Sequence, residues 1–278
     1  MKIAFGTVIY EQAWLWWEEF ADSINKQSMQ EFDVLILNDG VSSEETIKIK
    51  EKIRCKTYIF DVTHSATISE IRIQLLNMSK KLGYDLLVLG DFDDTFSNNR
   101  VENIVKEWNE DICFYYHNLK YEDSGDNVFT ELPDIVDDIG QILEYNFLGL
   151  GNTAINLRLL SNDFISSLEN VETNVFDWYL YSKILLYGKV GQLIKDANTI
   201  YRQQDNNLAG IQVYDYNSIC REIKVKRVHY GMLKKDIGTA EKLLLVYDEL
   251  EKKSYEQLMK YENKEKKRYW WSNFKILD

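Results

Sequence analysis

Three carboxylates within four positions, Asp91, Asp93 and Asp94, follow the apolar run Leu86-Leu87-Val88-Leu89-Gly90. Carboxylate oxygens are hard donors suited to Mg2+ or Mn2+, and such ions keep open positions for the phosphate oxygens of a substrate. A polar turn with a helix cap would account for one acid ahead of Thr95, Ser97 and Asn98. Three acids at one strand end repel one another, and a divalent ion is the natural counter-charge. The run therefore reads as a buried strand that delivers carboxylates to a cation site, with a phosphorylated ligand as third party.

The elements that must hold this strand follow from hydrophobic periodicity. Lys2 to Tyr10 reads as a first strand, and Trp14, Trp17, Ala21 and Ile24 recur at helical spacing. Asp33 to Leu37 is a continuous apolar strand that closes on the turn signal Asn38-Asp39-Gly40, and Lys56 to Phe60 fits a further short strand. Ile68, Ile71, Leu75, Leu76, Met78 and Leu82 mark one face of a helix, with Gly83 placed as its C-terminal cap. Leu86 to Gly90 comes next. Strands alternating with helices predict an open, mainly parallel α/β sheet, in which ligands bind beyond the carboxyl ends of the strands. Asp39 and Asp91 to Asp94 both stand at such ends.

Farther along, Asp111 to His117 fits a strand, residues 118–150 are acidic and poorly periodic, and Asp177 to Tyr187 looks helical. Lys189 to Ile194 and Asn198 to Tyr201 look extended, and residues from about 236 to 268 read as a charged helical segment. The expected division is a domain over 1–220 and a C-terminal helical extension over 221–278.

Composition narrows the class. The chain has 278 residues, 45% of them hydrophobic, enough to fill a substantial core. Cys55, Cys113 and Cys220 are scattered, and His64, His117 and His229 offer no zinc spacing, which points to a reducing, cytoplasmic setting. No apolar run reaches the roughly 20 residues of a membrane span. Residues 221–278 carry 15 Lys and Arg against 10 Asp and Glu, a net +5, which leaves −17 on residues 1–220 and makes nucleic acid an unsuitable partner. Tyr269, Trp270 and Trp271 beside Lys266, Lys267 and Arg268 have two readings. They could rest peripherally on an anionic inner membrane surface, or pack on the body or a second copy in a homo-oligomer.

Two families share an acidic strand end of this type. Asp91-Phe92-Asp93-Asp94-Thr95 fits the DxDxT signature of haloacid dehalogenase-type phosphatases, with Asp91 as nucleophile. That motif normally ends the first strand of its domain, whereas four element-sized segments precede it here. The whole series of landmarks instead resembles family 2, GT-A-type glycosyltransferases, especially those of bacterial cell-surface polysaccharide synthesis. The landmarks are Val8-Ile9-Tyr10, Asn38-Asp39-Gly40, Glu70-Ile71-Arg72, Asp91 to Asp94, Phe176-Asp177-Trp178 and Tyr201-Arg202-Gln203-Gln204-Asp205-Asn206-Asn207.

The resemblance implies a GT-A fold and an inverting transfer of a sugar from a UDP-, dTDP- or GDP-sugar to a hydroxyl on a glycan or lipid-linked acceptor, with Mn2+ or Mg2+. It implies that Tyr10, Asp39, Arg72, Asp91 and Asp93 face the donor nucleotide, Asp39 at the base. Asp93, Asp94 and Asp91 would meet the metal. Gly151 and Asn152, in Asn146-Phe147-Leu148-Gly149-Leu150-Gly151-Asn152-Thr153, would contact donor sugar and acceptor, and Arg202 and Gln203 the diphosphate. Asp177 would be the base. Phe176 stands where many relatives have a second acid, so a non-catalytic glycan- or partner-binding member of the fold is an alternative. As an ordinary residue Asp177 would cap the following helix, worth about 0.5–2 kcal/mol. Trp178 is expected in the core rather than as a sugar platform, and His229 as a buried, hydrogen-bonded residue rather than a late metal ligand.

Overall fold

The computed structural model describes residues 1–63, 65–202, 216–263 and 269–277. The chain opens with β1 (Ile3–Tyr10), a 3-10 turn over Glu11–Trp16, and α1 (Trp17–Asn25). Then come β2 (Asp33–Asp39), α2 (Ser43–Lys52), β3 (Thr57–Asp61), α3 (Ile68–Lys81) and β4 (Leu86–Leu89). The middle of the chain holds β5 (Thr95–Phe96), α4 (Arg100–Lys106), β6 (Phe114–Tyr116), β7 (Leu119–Tyr121), β8 (Ile135–Val136), β9 (Thr153–Asn156) and α5 (Asn162–Ser166). After α6 (Phe176–Leu186) come β10 (Gly191–Leu193) and β11 (Thr199–Tyr201). The helices α7 (Tyr216–Leu233), α8 (Gly238–Leu250) and α9 (Tyr255–Leu258) follow.

The large sheet has the order β3-β2-β1-β4-β9-β6-β10-β8. Strands β1 to β4 pair in parallel, while β9 runs antiparallel to both β4 and β6. A smaller sheet, β5-β11-β7, lies beside it. Both faces of β1, β2 and β4 are covered, which explains why they read as unbroken apolar runs. Successive side chains alternate between the two faces of a strand. Thus Phe5, Ile9, Val34, Ile36, Leu86 and Val88 pack in one core with Phe20, Ile24 and Ile104. Ala4, Val8, Leu35, Leu37, Leu87 and Leu89 pack in the other with Leu75, Trp178 and Tyr230.

Helix α3 starts on a capping box between Thr67 and Glu70 and stops just before Gly83, whose φ is +76°. The expected helical spacing of Trp14 falls instead in the 3-10 turn, and regular helix begins only at Trp17. The C-terminal helical region begins at Tyr216, well before residue 236, because Ile219, Ile223, Tyr230 and Leu233 form a buried stripe that the many charges of α7 obscure. Tyr269, Trp270 and Trp271 are buried and join the same core as Trp178, so these rings face the body and not a membrane. Among the described residues no helix is long and apolar enough to cross a membrane. Lys266, Lys267 and Arg268 lie outside the described residues.

Candidate functional site

The parallel register aligns the ends of β1 and β2, pairing Tyr10 with Asp39. Asn38 is spent on structure: it binds Val41 through both amide atoms and donates to Asp61 Oδ1 at 2.7 Å. This leaves the partly exposed Asp39 carboxylate at the strand edge without a hydrogen bond or ion pair among the described residues.

Next to them, β4 runs into a tight turn in which the Asp94 N–H donates to the Asp91 carbonyl at 3.2 Å. Phe92, between the acids, is fully buried and stacks on Phe20 at 4.3 Å, which anchors the turn to the core. Asp91 accepts from Arg72 Nη2 at 3.0 Å. Asp94 is 3% exposed and accepts from the Arg202 N–H at 3.0 Å. Asp93 Oδ2 receives a long contact of 3.5 Å from the Tyr10 hydroxyl. A methyl group added at Gly151 would sit 2.7 Å from Asp91 Oδ2 and 3.3 Å from Asp94 Oδ2, so this glycine is what lets the backbone lie against both acids.

The electrostatics are those of crowded carboxylates. Burial first, and then the charge of Asp91, push Asp93 up to about 6. Burial and the charges of Asp91 and Asp93 hold Asp94 well above the usual carboxylate range. Burial and the same acids raise the Tyr10 hydroxyl. Mutual repulsion of this kind is relieved by a divalent cation, and the donor set of hard oxygens fits Mn2+ or Mg2+. Among the described residues no three His, Cys, Asp or Glu side chains form a ready metal cage. An ion held here would therefore take one or two protein carboxylates, with water and substrate phosphate completing its shell, the habit of Mg2+.

Asp177 lies in the first turn of α6, which packs with α3 in the same core. The helix begins one residue earlier than expected, with Val175 at the N-cap, so Asp177 does not cap it; its Oδ1 accepts from the Trp178 N–H at 2.8 Å. Burial raises its pKa to about 7, and it is close enough to Asp91 and Arg72 to feel both charges. Phe176 is core, and so is Trp178, whose indole N–H donates to the Ile142 carbonyl at 2.7 Å. His229 stacks on Trp178 at 4.0 Å inside the core. Neither of its ring nitrogens has a hydrogen-bond partner among the described residues, contrary to expectation, and it joins no metal-ligand cluster there.

Two other expectations meet a different geometry. Asn152 is fully buried, and its amide is committed to the Gly149 N–H and to the His117 and Phe147 carbonyls, so it shapes the loop from within. Arg202 reaches the Asp93 carbonyl, but its guanidinium is also engaged by Glu122 and by Glu19 and lies 5.2 Å from the Trp16 ring. A diphosphate would have to compete with two carboxylates for it. Gln203 lies outside the described residues.

Sequence reading missed Arg100 and His117, because nothing local marks them. Arg100, at the start of α4, is fully buried, and its guanidinium is flanked by Phe5 and Phe96. Its Nη2 donates to the carbonyls of Leu89, Gly151 (3.2 Å) and Thr153 (3.4 Å), while Nε donates to His117 Nε2 at 2.8 Å. Because arginine can only donate, His117 must be neutral with its proton on Nδ1, which donates to the Asn118 carbonyl. Burial and Arg100 hold His117 well below its usual range, in agreement with that tautomer. Burial lowers the Arg100 guanidinium to about 9, and the charges of Asp94 and Asp91 oppose that shift.

The architecture is the GT-A fold of nucleotide-sugar transferases, a large mainly parallel sheet flanked by helices. The chain is similar in structure to residues 1–349 of S. aureus TarS solved with UDP-GlcNAc, at 15% identity and a TM-score of 0.62, over 89% of this chain and 71% of that one. It is also similar to mannosyltransferase PcManGT from Pyrobaculum calidifontis, solved with GDP-Man and Mn2+, at 12% identity and a TM-score of 0.57, over 89% and 68%. GalNAc-T7, solved with UDP, GalNAc and Mn2+, matches at 10% identity and a TM-score of 0.55, over 84% and 48%. No family model and no curated protein matches the sequence. The phosphatase alternative does not fit this architecture, since Asp91 follows the fourth strand in chain order and is paired with Arg72.

Proposed function

We propose that the chain is an inverting, metal-dependent glycosyltransferase that moves a sugar from a nucleoside diphosphate sugar to an acceptor hydroxyl in cell-surface glycan synthesis. The observation that carries this reading is the meeting of Asp91 and Asp94 with Gly151 at the carboxyl ends of the strands, with Asp93 beside them and Asp91 within electrostatic reach of the partly buried carboxyl of Asp177. Solved structures of the same fold bound to UDP-GlcNAc, GDP-Man and Mn2+ support it.

In this reading Asp39 accepts from the base N–H, and Tyr10, Arg72, Asp91 and Gly151 line the donor. One or two of Asp93, Asp94 and Asp91 would hold the ion. When bound, a divalent cation stabilises the charge that develops on the leaving diphosphate. Asp177 takes the proton of the acceptor hydroxyl as that oxygen attacks the anomeric carbon. A carboxyl near pH 7 is matched to that task, because it is partly ionised yet basic enough to receive a proton. Arg202 comes to the diphosphate by exchanging its carboxylate partners for phosphate oxygens.

A thermal-shift screen with UDP, GDP, dTDP and CMP in the presence of Mn2+ tests the donor site, and release of free nucleotide from the matching sugar donor tests turnover. Stabilisation by one nucleoside diphosphate followed by turnover is the expected result. Binding without turnover would leave the non-catalytic reading, and no response to any nucleotide would overturn both. Asp177→Asn should keep donor affinity and lower turnover about 10^2- to 10^4-fold, the usual worth of a positioned base. Wild-type turnover in that variant would remove Asp177 from the role.

A further inference from the structure

We propose that residues 269–277 form a strap that positions the Gly149–Gly151 loop against Asp91 and Asp94, with Trp270 as the positioning residue. The role in ligand binding rests on the donor-site reading above; the contact itself does not.

The strap is joined to the body along its whole length. Trp270 and Asn146 exchange backbone hydrogen bonds, each 2.9 Å long. Tyr269 stacks on Tyr145 at 4.7 Å and donates its hydroxyl to the Glu131 carbonyl at 2.9 Å. Two buried carboxylates then capture the backbone beyond. Glu222 accepts from the N–H groups of Asn273 and Phe274, both at 3.1 Å, and Glu144 accepts from Ile276 at 2.6 Å and Leu277 at 2.8 Å. Lys226, itself fully buried, pairs with Glu222 at 2.9 Å and donates to the Phe274 carbonyl. Between the aromatic and carboxylate contacts, Trp271 adopts a left-handed φ of +62°, a conformation that side-chain-bearing residues avoid unless their surroundings impose it.

The product of this anchoring is the placement of one indole ring. A methyl group added at Gly149 would meet Trp270 Cη2 at 2.8 Å and Cζ3 at 2.9 Å, so ring and loop backbone are in direct contact. Phe129 closes the ring from the edge at 5.0 Å. The indole N–H is buried and has no partner among the described residues, so the ring holds its place through shape and not through a polar bond. From within, Thr199 Oγ1 (2.8 Å) and Arg100 hold the Gly151 carbonyl, and Asn152 holds the Gly149 N–H. Trp270 packs on the same loop at Gly149, two residues before the glycine that faces the acids.

The test is a double-substitution cycle on the full chain, read by amide exchange of residues 146–152, melting temperature, nucleotide affinity with Mn2+ and the split between KM and kcat. Gly149→Ala should raise exchange in the loop by about tenfold or more while β1 and β2 stay protected. Trp270→Phe, which shortens the ring, should restore protection in the Gly149→Ala chain, because touching neighbours do not act additively. Trp270→Ala should loosen the loop and weaken nucleotide binding in the folded protein, where a purely global role would lower only the melting temperature. If Trp270→Ala does not fold, the Gly149→Ala and Trp270→Phe pair decides. Additive effects in that pair, or unchanged loop exchange in Gly149→Ala, would overturn the strap. Exchange needs no substrate, so coupling observed without nucleotide binding would keep the strap and refute the donor reading instead.

Discussion

At the scale of single residues, the site is governed by which charges burial permits. Asp177 carries a folded-state pKa near 7 because desolvation disfavours its anion. The folded protein therefore binds this proton more tightly than the unfolded chain, whose carboxyl titrates near 3.9. Its contribution to stability is complete below about pH 4 and is lost as pH rises through about 7. Activity should run the other way: the proposed role of Asp177 as base requires its ionised form, so turnover should climb through an apparent pKa near 7. A pH-rate profile checks this, and a flat profile between pH 5.5 and 8.5 would contradict it. Arg100 presents the complementary case of a buried cation with acids nearby. Arg100→Met should cost about 1–3 kcal/mol or more in urea unfolding, because three carbonyls and His117 Nε2 lose a buried donor. Lysine should not restore it, since a compact ammonium does not reproduce the fork that reaches Leu89, Gly151 and His117 together.

At the scale of elements, α7 and the strap depend on each other through the Glu222–Lys226 pair, which is shielded from water on both sides. Lys226→Ala leaves Glu222 as an uncompensated buried charge. The expected loss is about 3–5 kcal/mol, measured by denaturant unfolding. Removing both charges together with apolar residues of similar size should cost much less, although Asn273 and Phe274 would then lose their acceptor. Helix α6 was legible in both type and packing. Its apolar residues were visible as a helix, and Trp178, expected in the core, is buried there with Tyr181 and Leu185.

Across the whole molecule, the parallel half of the sheet was legible because β1, β2 and β4 alternate two buried faces, and β2 and β4 end on the polar turns Asn38-Asp39-Gly40 and Asp91 to Asp94. The remainder depends on partners distant in sequence. Strands as short as Thr95–Phe96 and Ile135–Val136 carry no period of their own and exist because β11 and β10 pair with them. Arg100 became part of the site only when folding placed it behind Leu89 and Gly151, and Trp270 only when Glu144 and Glu222 drew residues 273–277 inward. The charge asymmetry, by contrast, was readable, yet it did not reveal that the aromatic residues beside Lys266 to Arg268 would turn inward. A nucleoside diphosphate with Mn2+ at a hundred times its dissociation constant should stabilise the fold by about 2.7 kcal/mol, visible as a concentration-dependent rise in melting temperature.

The strap also fixes an order of events during biosynthesis. Gly149 and Leu277 stand 128 positions apart, so at the usual pace of translation the residues that pin the loop are made about 6 to 26 s after the loop itself. Through that interval the strands β1 to β4 can assemble while the acids at their ends lack a finished floor. The nascent chain thus holds every residue of the core around Phe5 and Phe20, the last of them Ala197, before the strap that completes the core around Trp178 is made.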